Sequence, residues 1–226
     1  MDNKLRESNE SGHERTVSPR KAPQQARAIE TCARILEGAR KLLGEQGAAS
    51  ITTRNIAKIS GVNVASIYQY YPNKQAILYA ITQERLNLVI DIFERFESAE
   101  HLAKSPTEYF TTLLDAVNQL QWYGKADIEL EKAIEHDAKL SELMERHTDK
   151  VITKLSLLLR HFGCYWPEQR LRLYAKYVYD ISNTTTRIRN AESGSLAVHV
   201  MQWEFEHGMY LIEYCLQSEN EKKAGI

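Results

Sequence analysis

The residues best suited to chemistry lie in one segment, residues 53–74, which reads TRNIAKISGVNVASIYQYYPNK. Near its end stands Pro72, which stops a helix because proline has no N–H to donate. Asn73 can cap the helix that follows, which places Lys74 at the N-terminus of that helix. The lysine charge then adds to the positive end of the helix dipole. A cation in this position is suited to binding a phosphate group.

Two short helices are predicted on either side of a tight turn at Gly61. Thr53 can cap the first helix, and Asn63 can cap the second. Gly61 favours the turn because a positive φ strains any residue that carries a Cβ. Ala57, Gly61 and Ile67 have the spacing of a helix-turn-helix, in which the second helix enters the DNA major groove. A helical hairpin whose turn contains glycine by chance is the alternative for this pattern alone.

This segment resembles the DNA-binding domain of the TetR (tetracycline-repressor-like) regulators over residues 27–80. The shared features follow in one order: Gln46-Gly47 after a first helix, Thr52-Thr53 at the start of a second, the turn Gly61-Val62-Asn63, a recognition helix containing Ile67-Tyr68-Gln69-Tyr70-Tyr71, and the tail Pro72-Asn73-Lys74. The resemblance implies double-stranded operator DNA as a partner and the bacterial cytoplasm as the location.

The resemblance also assigns DNA-contacting residues, namely Thr53, Arg54, Val64, Ala65, Ser66, Tyr68, Gln69 and Lys74. Thr53 and Arg54 resemble phosphate or base contacts, and Tyr68 and Lys74 resemble phosphate clamps. Gln69 can form two hydrogen bonds to adenine, and the methyl groups of Val64 and Ala65 can touch a thymine methyl. Val64 departs from the family, whose members often carry a polar or charged residue there, and this lowers the electrostatic share of binding.

Charge is distributed unevenly along the 226 residues, although the net charge is only −1. Residues 1–75 hold 12 Lys and Arg against 7 Asp and Glu, whereas residues 76–226 hold 17 against 23. A basic module joined to an acidic one fits DNA contact at one end and self-association or ligand binding at the other. Ordinary surface variation is the alternative. A non-specific architectural DNA-binding protein is disfavoured, because so small a positive excess gives weak electrostatic binding.

The hydrophobic pattern predicts an all-α protein with a disordered arm at 1–25, a three-helix DNA-binding domain at 26–75 and a helical effector-binding and dimerisation domain at 76–226. Helices are predicted over about 27–45, 73–97, 106–124, 126–135, 139–162, 167–189 and 195–217. Basic residues of the arm can reach into a minor groove, although a tail that binds nothing specific is as plausible.

The last predicted helix is apolar on two faces, and such a helix must bury both. Leu196, Val200, Trp203, Tyr210 and Tyr214 form one stripe, and Val198, Met201, Phe205, Ile212 and Cys215 form the other. One face can pack on the protein's own core and the other on a partner. The resemblance implies a homodimer built from the last two helices, with Met201, Phe205, Gly208 and Ile212 as the predicted interface. A helix enclosed within a monomer is the alternative.

Four candidates for an effector pocket are Trp122, Tyr123, His147 and Tyr174. Large rings with polar tips suit a small-molecule cavity, and 17 of the 20 aromatic residues follow residue 75. Aromatic core packing is the alternative for the rings, and a satisfied core histidine is the alternative for His147. The polar run 182–186 indicates a pocket wall, a dimer seam or a solvated face. These features favour a hydrophobic or aromatic effector.

Other chemistry is not expected. The sequence has no GxSxG, P-loop, HExxH or GxGxxG motif, and Cys32, Cys164 and Cys215 have no metal-ligand spacing, so we predict no enzyme, cofactor or metal. The acidic residues around 129–137 are interpreted as a solvated surface. No signal peptide or membrane helix is expected. The resemblance to the TetR regulators implies a dimeric repressor that a small molecule releases from its operator.

Overall fold

The computed structural model of the protein describes residues 25–120, 125–134 and 137–217, and the regular structure within these ranges is helical. The α-helices are α1 (Ala26–Gln46), α2 (Thr53–Ser60), α3 (Val64–Tyr70), α4 (Lys74–Phe96), α5 (Ala99–Leu102), α6 (Pro106–Asn118), α7 (Lys125–Ile134), α8 (Ala138–His161), α9 (Glu168–Ala191) and α10 (Ser195–Gln217). A 3₁₀ turn, Ala48–Ser50, joins α1 to α2. The all-α prediction is confirmed, while residues 1–24 of the predicted arm lie outside the described residues.

Polar side chains start the helices where the sequence places them, with one correction. Asn63 accepts a hydrogen bond from the N–H of Ala65 at 2.8 Å, and Asn73 accepts one from Ala76 at 2.9 Å. The cap of α2, however, is Thr52 rather than Thr53, since the Thr52 hydroxyl accepts the N–H of Asn55 at 3.1 Å. The prediction failed because adjacent threonines are equally good caps.

Two hydrophobic clusters hold the helices together. The first contains side chains of α1, α2, α3 and the first half of α4, together with Leu130 of α7 and Leu140 of α8. The second contains the second half of α4 with α6, α8, α9 and α10. Helix α4 therefore belongs to both clusters, and α7 packs against the N-terminal helices although it lies far along the chain.

A disulfide was not expected from the sequence. Cys164, in the loop after α8, is bonded to Cys215 of α10, and their Cα atoms are 5.8 Å apart, within the usual range. Both residues are fully buried, and their separation of 51 residues carries no recognisable pattern. Cys32, on α1, is free and buried.

Candidate nucleic-acid interface and internal cavity

The turn between α2 and α3 has the geometry that its glycine predicts. Gly61 has φ 64°, in the left-handed region, and its carbonyl and that of Ser60 accept hydrogen bonds from Arg34 at 3.2 and 2.9 Å. Helix α1 crosses α2 closely at Gly38, where an added Cβ would lie 2.9 Å from the Ser60 Cβ. Sequence reasoning missed both Arg34 and Gly38, because they act on a helix more than twenty residues away.

Helix α3 is anchored on one side and exposed on the other. Ile67 is completely buried and Tyr71, just after the helix, is nearly so. The opposite face carries predicted DNA contacts: Val64, Ala65, Tyr68 and Gln69 are exposed, and Ser66 is half-buried. The fold thus presents a short helix whose outer surface is free to enter a groove.

Three further predicted contacts lie beside this face. The hydroxyl of Thr53, at the start of α2, is hydrogen-bonded to the phenol of Tyr68 at 3.1 Å. Since Thr53 does not cap α2, its hydroxyl is available to orient the Tyr68 ring, which is 44% exposed. Arg54 is exposed on α2, and Lys74 is exposed as the first residue of α4. All eight predicted residues thus belong to α2, α3 and the first turn of α4.

A cavity of about 210 Å³ lies among α4, α6, α7, α8, α9 and α10. Most of its wall is apolar, formed by Leu86, Val89, Phe93, Phe110, Leu113, Leu114, Val117, Leu120, Met144, Val151, Leu155, Val178, Ile181, Met209, Leu211 and Ile212. Its polar wall includes Arg85, Glu131, His147, Tyr179, Ser182, Asn183, Thr185 and Glu204. The polar run on α9 is therefore part of a pocket wall, one of the three alternatives that the sequence left open.

The four residues predicted to line an effector pocket lie in different places. His147 lines the cavity. Tyr174 does not, because its hydroxyl donates to the Leu211 carbonyl at 2.6 Å and its ring packs against Trp166 and Tyr214. Tyr174 is thus a packing residue, which was the alternative reading for the rings. Trp122 and Tyr123 lie outside the described residues.

His147 is a buried residue of the cavity wall whose ring nitrogen Nδ1 has no hydrogen-bond partner among the described residues. It is 5% exposed, and its Nδ1 is the one buried side-chain nitrogen or oxygen that lacks a hydrogen-bond partner in the described part of the chain. Burial, and then the positive charges of Arg85 and Lys150, lower the pKa of His147 to about 4. The imidazole is therefore neutral near pH 7, and its Nδ1 is buried without a hydrogen-bond partner in that part of the chain.

This pKa predicts a dependence of stability on pH. Between pH 6.5 and 4 the unfolded chain binds a proton at His147 that the folded chain does not. The free energy of unfolding should therefore fall as the pH drops through this window, by roughly 2 kcal/mol from this residue. Denaturant titrations should show a smaller loss for His147→Leu than for the wild type. Equal losses would mean that His147 is not buried as a neutral group.

Charged groups in the wall are held in ion pairs. Arg85 donates to Glu131 of α7 at 3.2 Å and lies 3.9 Å from Asp127 of the same helix. Glu204 of α10 accepts hydrogen bonds from Thr186 at 2.9 Å and from Arg189 at 2.8 Å. These contacts balance charges that burial would otherwise destabilise.

Helix α7 links the cavity to the N-terminal helices. Glu129 accepts the backbone N–H of Ala48, in the 3₁₀ turn before α2, at 2.9 Å, while Glu131 on the same helix holds Arg85. A Cβ at Gly47 would lie 2.8 Å from the Glu129 carboxylate, so glycine leaves room for this contact. The interpretation of residues 129–137 as a solvated surface is wrong for Glu129 and Glu131. Their partners are distant in sequence, so spacing alone could not identify them.

The outer face of α9 and α10 is rich in exposed apolar side chains. These are Leu173, Tyr177 and Ile188 on α9 and Leu196, Val198, Met201, Trp203, Tyr210 and Tyr214 on α10. Of the residues predicted for a dimer interface, only Met201 is in this set. Ile212 is buried in the second hydrophobic cluster, Phe205 packs against that cluster, and Gly208 lines the cavity. Each of the two predicted apolar stripes has exposed and buried members. Leu196 and Trp203 of the first are exposed while Val200 is buried, and Val198 and Met201 of the second are exposed while Ile212 is buried.

No described helix is both long and apolar enough to cross a membrane. Within the same ranges, no cluster of His, Cys, Asp and Glu side chains has the arrangement of a metal site.

Comparison with known proteins relates the N-terminal helices to one family. Residues 35–81 match the sequence model of the bacterial regulatory proteins of the tetR family, and this range includes all eight predicted contacts. The HTH-type transcriptional regulator SAB2452 of Staphylococcus aureus is 32% identical over 74 residues, which are 33% of this chain and 40% of that protein. The match thus spans less than half the length of that relative.

Two of the matching solved structures share the fold over most of this chain. Salmonella enterica GusR has a TM-score of 0.63 at 20% identity over 83% of this chain and 94% of that chain. NalD, the secondary repressor of the MexAB-OprM multidrug efflux pump in Pseudomonas aeruginosa, has a TM-score of 0.62 at 18% identity over 84% and 98% of the two chains. At these identities the likeness shows the fold alone.

Proposed function

Because the chain belongs to the tetR family of bacterial regulatory proteins, we propose that it is a transcriptional repressor that binds a pseudo-palindromic operator as a homodimer and is released by a small molecule. The observation that carries this proposal is that the outer face of α3 and the side chain of Lys74 are both exposed beside the helix-turn-helix. The hydrophobic cluster of these helices also includes Leu130 of α7. Two recognition helices, one from each subunit, would enter successive major grooves. NalD, a repressor with the same fold, supports this direction of control.

The homodimer is proposed to form through the outer face of α9 and α10. This reassigns the interface from the inward residues Gly208 and Ile212 to the exposed row that includes Leu196, Trp203 and Tyr210. Contiguous exposed apolar surface of this kind marks protein–protein contact sites. A two-fold dimer also accounts for the symmetry of the proposed operator.

The proposed location is the cytoplasm, where the operator would be found. Disulfides are rare in that reducing compartment. We therefore expect Cys164 and Cys215 to be buried neighbouring thiols there and to form their bond under oxidising conditions.

The proposal is tested by selecting bound sequences from a pool of random DNA duplexes. We expect one preferred sequence with two inverted half-sites whose centres are about one helical turn apart. Recovery of duplexes without a common sequence would instead support a non-specific architectural DNA-binding protein.

Substitutions on the DNA face should separate base reading from phosphate binding. Gln69→Ala should relax the preference at one position of each half-site, at a cost of about 1–3 kcal/mol if the contact to adenine is bidentate. Lys74→Ala should weaken binding to the selected operator and to random DNA alike and reduce the salt slope by about one. Fluorescence anisotropy at several salt concentrations measures both effects. An unchanged salt slope in Lys74→Ala would remove its proposed phosphate role.

A further inference from the structure

We propose that the cavity binds an uncharged, mainly apolar molecule that carries one hydroxyl group, and that this hydroxyl is hydrogen-bonded to Nδ1 of His147. The inference rests on the proposed function, since it names the class of small molecule that the regulator senses. Phenols and aliphatic alcohols are the simplest members of this class.

The position of the hydroxyl follows from the unsatisfied nitrogen. Among the described residues, Nδ1 of His147 is the one buried side-chain nitrogen or oxygen without a hydrogen-bond partner, and His147 lines the cavity. Leaving such an atom unpaired is unfavourable, and a ligand that pairs it recovers this free energy on binding.

A hydroxyl fits this nitrogen better than a ketone or an ether does. Neutral imidazole carries its proton on one ring nitrogen, so Nδ1 is either an acceptor or a donor depending on the tautomer. A hydroxyl can donate to the first form and accept from the second. A ketone or an ether can only accept, so it satisfies one tautomer alone.

The ion pairs of the wall disfavour a charged ligand. Arg85 is already held by Glu131 and Asp127, and Glu204 is already held by Arg189, so each of these charges already has a partner within the protein. An unpaired charge in such an apolar site is strongly disfavoured. A carboxylate would also be repelled by Glu131, which belongs to the same wall.

The apolar lining and the volume of the cavity limit the polarity and the size of the rest of the ligand. Most of the side chains that line the cavity are aliphatic or aromatic, with Phe93 and Phe110 from α4 and α6 among them. At about 210 Å³ the cavity is smaller than the roughly 300–1,000 Å³ typical of sites for drug-sized molecules. A single ring with a short alkyl chain therefore matches the space better than a sterol or a long acyl chain.

The experiment measures binding of three matched probes to the full chain by isothermal titration calorimetry without DNA. The probes are para-propylphenol, its methyl ether para-propylanisole, and para-propylbenzoate. We expect the phenol to bind at least about tenfold more tightly than the ether, and the benzoate to bind most weakly. This preference for the hydroxyl should disappear in His147→Leu.

A second substitution guards against a folding defect. His147→Gln retains polar groups that can pair with a hydroxyl, so it should restore part of the preference. Thermal unfolding confirms that each variant is folded. The inference is overturned if the benzoate binds more tightly than the phenol, if the phenol does not bind, or if His147→Leu retains the preference for the hydroxyl.

Failure of this inference is distinguishable from failure of the proposed function. A protein that selects a palindromic DNA sequence but does not bind the phenol is a regulator with a different effector class. A protein that binds the phenol but selects no DNA sequence would retain the cavity assignment and lose the proposed operator.

Discussion

Trp203→Asp should convert the proposed dimer into a monomer and lower the affinity for the selected operator by at least about 100-fold. Trp203 is 62% exposed at the middle of the outer α10 row, and Trp residues contribute strongly to protein interfaces. A buried carboxylate at that place would be unpaired in the interface. Because each monomer then binds one half-site alone, the gain from holding two half-sites together is lost.

A matched control is available on another helix. Leu157 of α8 is 61% exposed and does not belong to the α9 and α10 row, so Leu157→Asp should leave both the dimer and the operator affinity unchanged. Sedimentation velocity measures the assembly, and fluorescence anisotropy measures the affinity. A wild type that sediments as a monomer, or a Trp203→Asp dimer with full affinity, would refute the proposed interface.

Local features of the DNA-binding helices could be predicted from the sequence. The turn at Gly61 and the caps Asn63 and Asn73 depend on backbone geometry within a few residues. The anchoring of Ile67 followed from helical spacing alone. Contacts made across the chain, such as that of Arg34 with the end of α2, had no comparable signal.

The cavity could be predicted only in part. A surplus of aromatic rings indicated that a pocket exists, but it did not distinguish the cavity wall from the packing of Tyr174 against Trp166. Which side chains of α10 face inward depends on how the other helices pack against it. Gly208, for example, lines the cavity, and a Cβ there would lie 3.9 Å from Leu114 of the chain's own α6, an ordinary contact distance.

Removing the contact between Glu129 and Ala48 should uncouple ligand binding from DNA release. We expect para-propylphenol to lower the operator affinity of the wild type by about 10- to 100-fold, and operator DNA to lower phenol affinity by the same factor, because coupling between two sites is reciprocal. In Glu129→Ala this factor should fall close to one, while phenol affinity without DNA stays near that of the wild type.

The structural reason is the position of α7 between the two sites. A ligand that displaces Arg85 acts on Glu131, and Glu129 on the same helix holds the 3₁₀ turn that leads into α2. Leu130, between these two residues, is buried in the N-terminal cluster, so a shift of α7 must disturb that cluster as well. One helix thus makes contact with both the cavity wall and the DNA-binding helices.

Glu129→Gln is the matched control for this prediction. Its side-chain oxygen can still accept the Ala48 N–H, although the charge that pairs with Lys132 is lost, so the coupling should persist. Titrating the phenol into each variant with and without operator gives the coupling factor directly. If Glu129→Ala retained the coupling of the wild type, the signal would have to pass through α4 or α8, because these described helices also line the cavity and contribute to the N-terminal cluster.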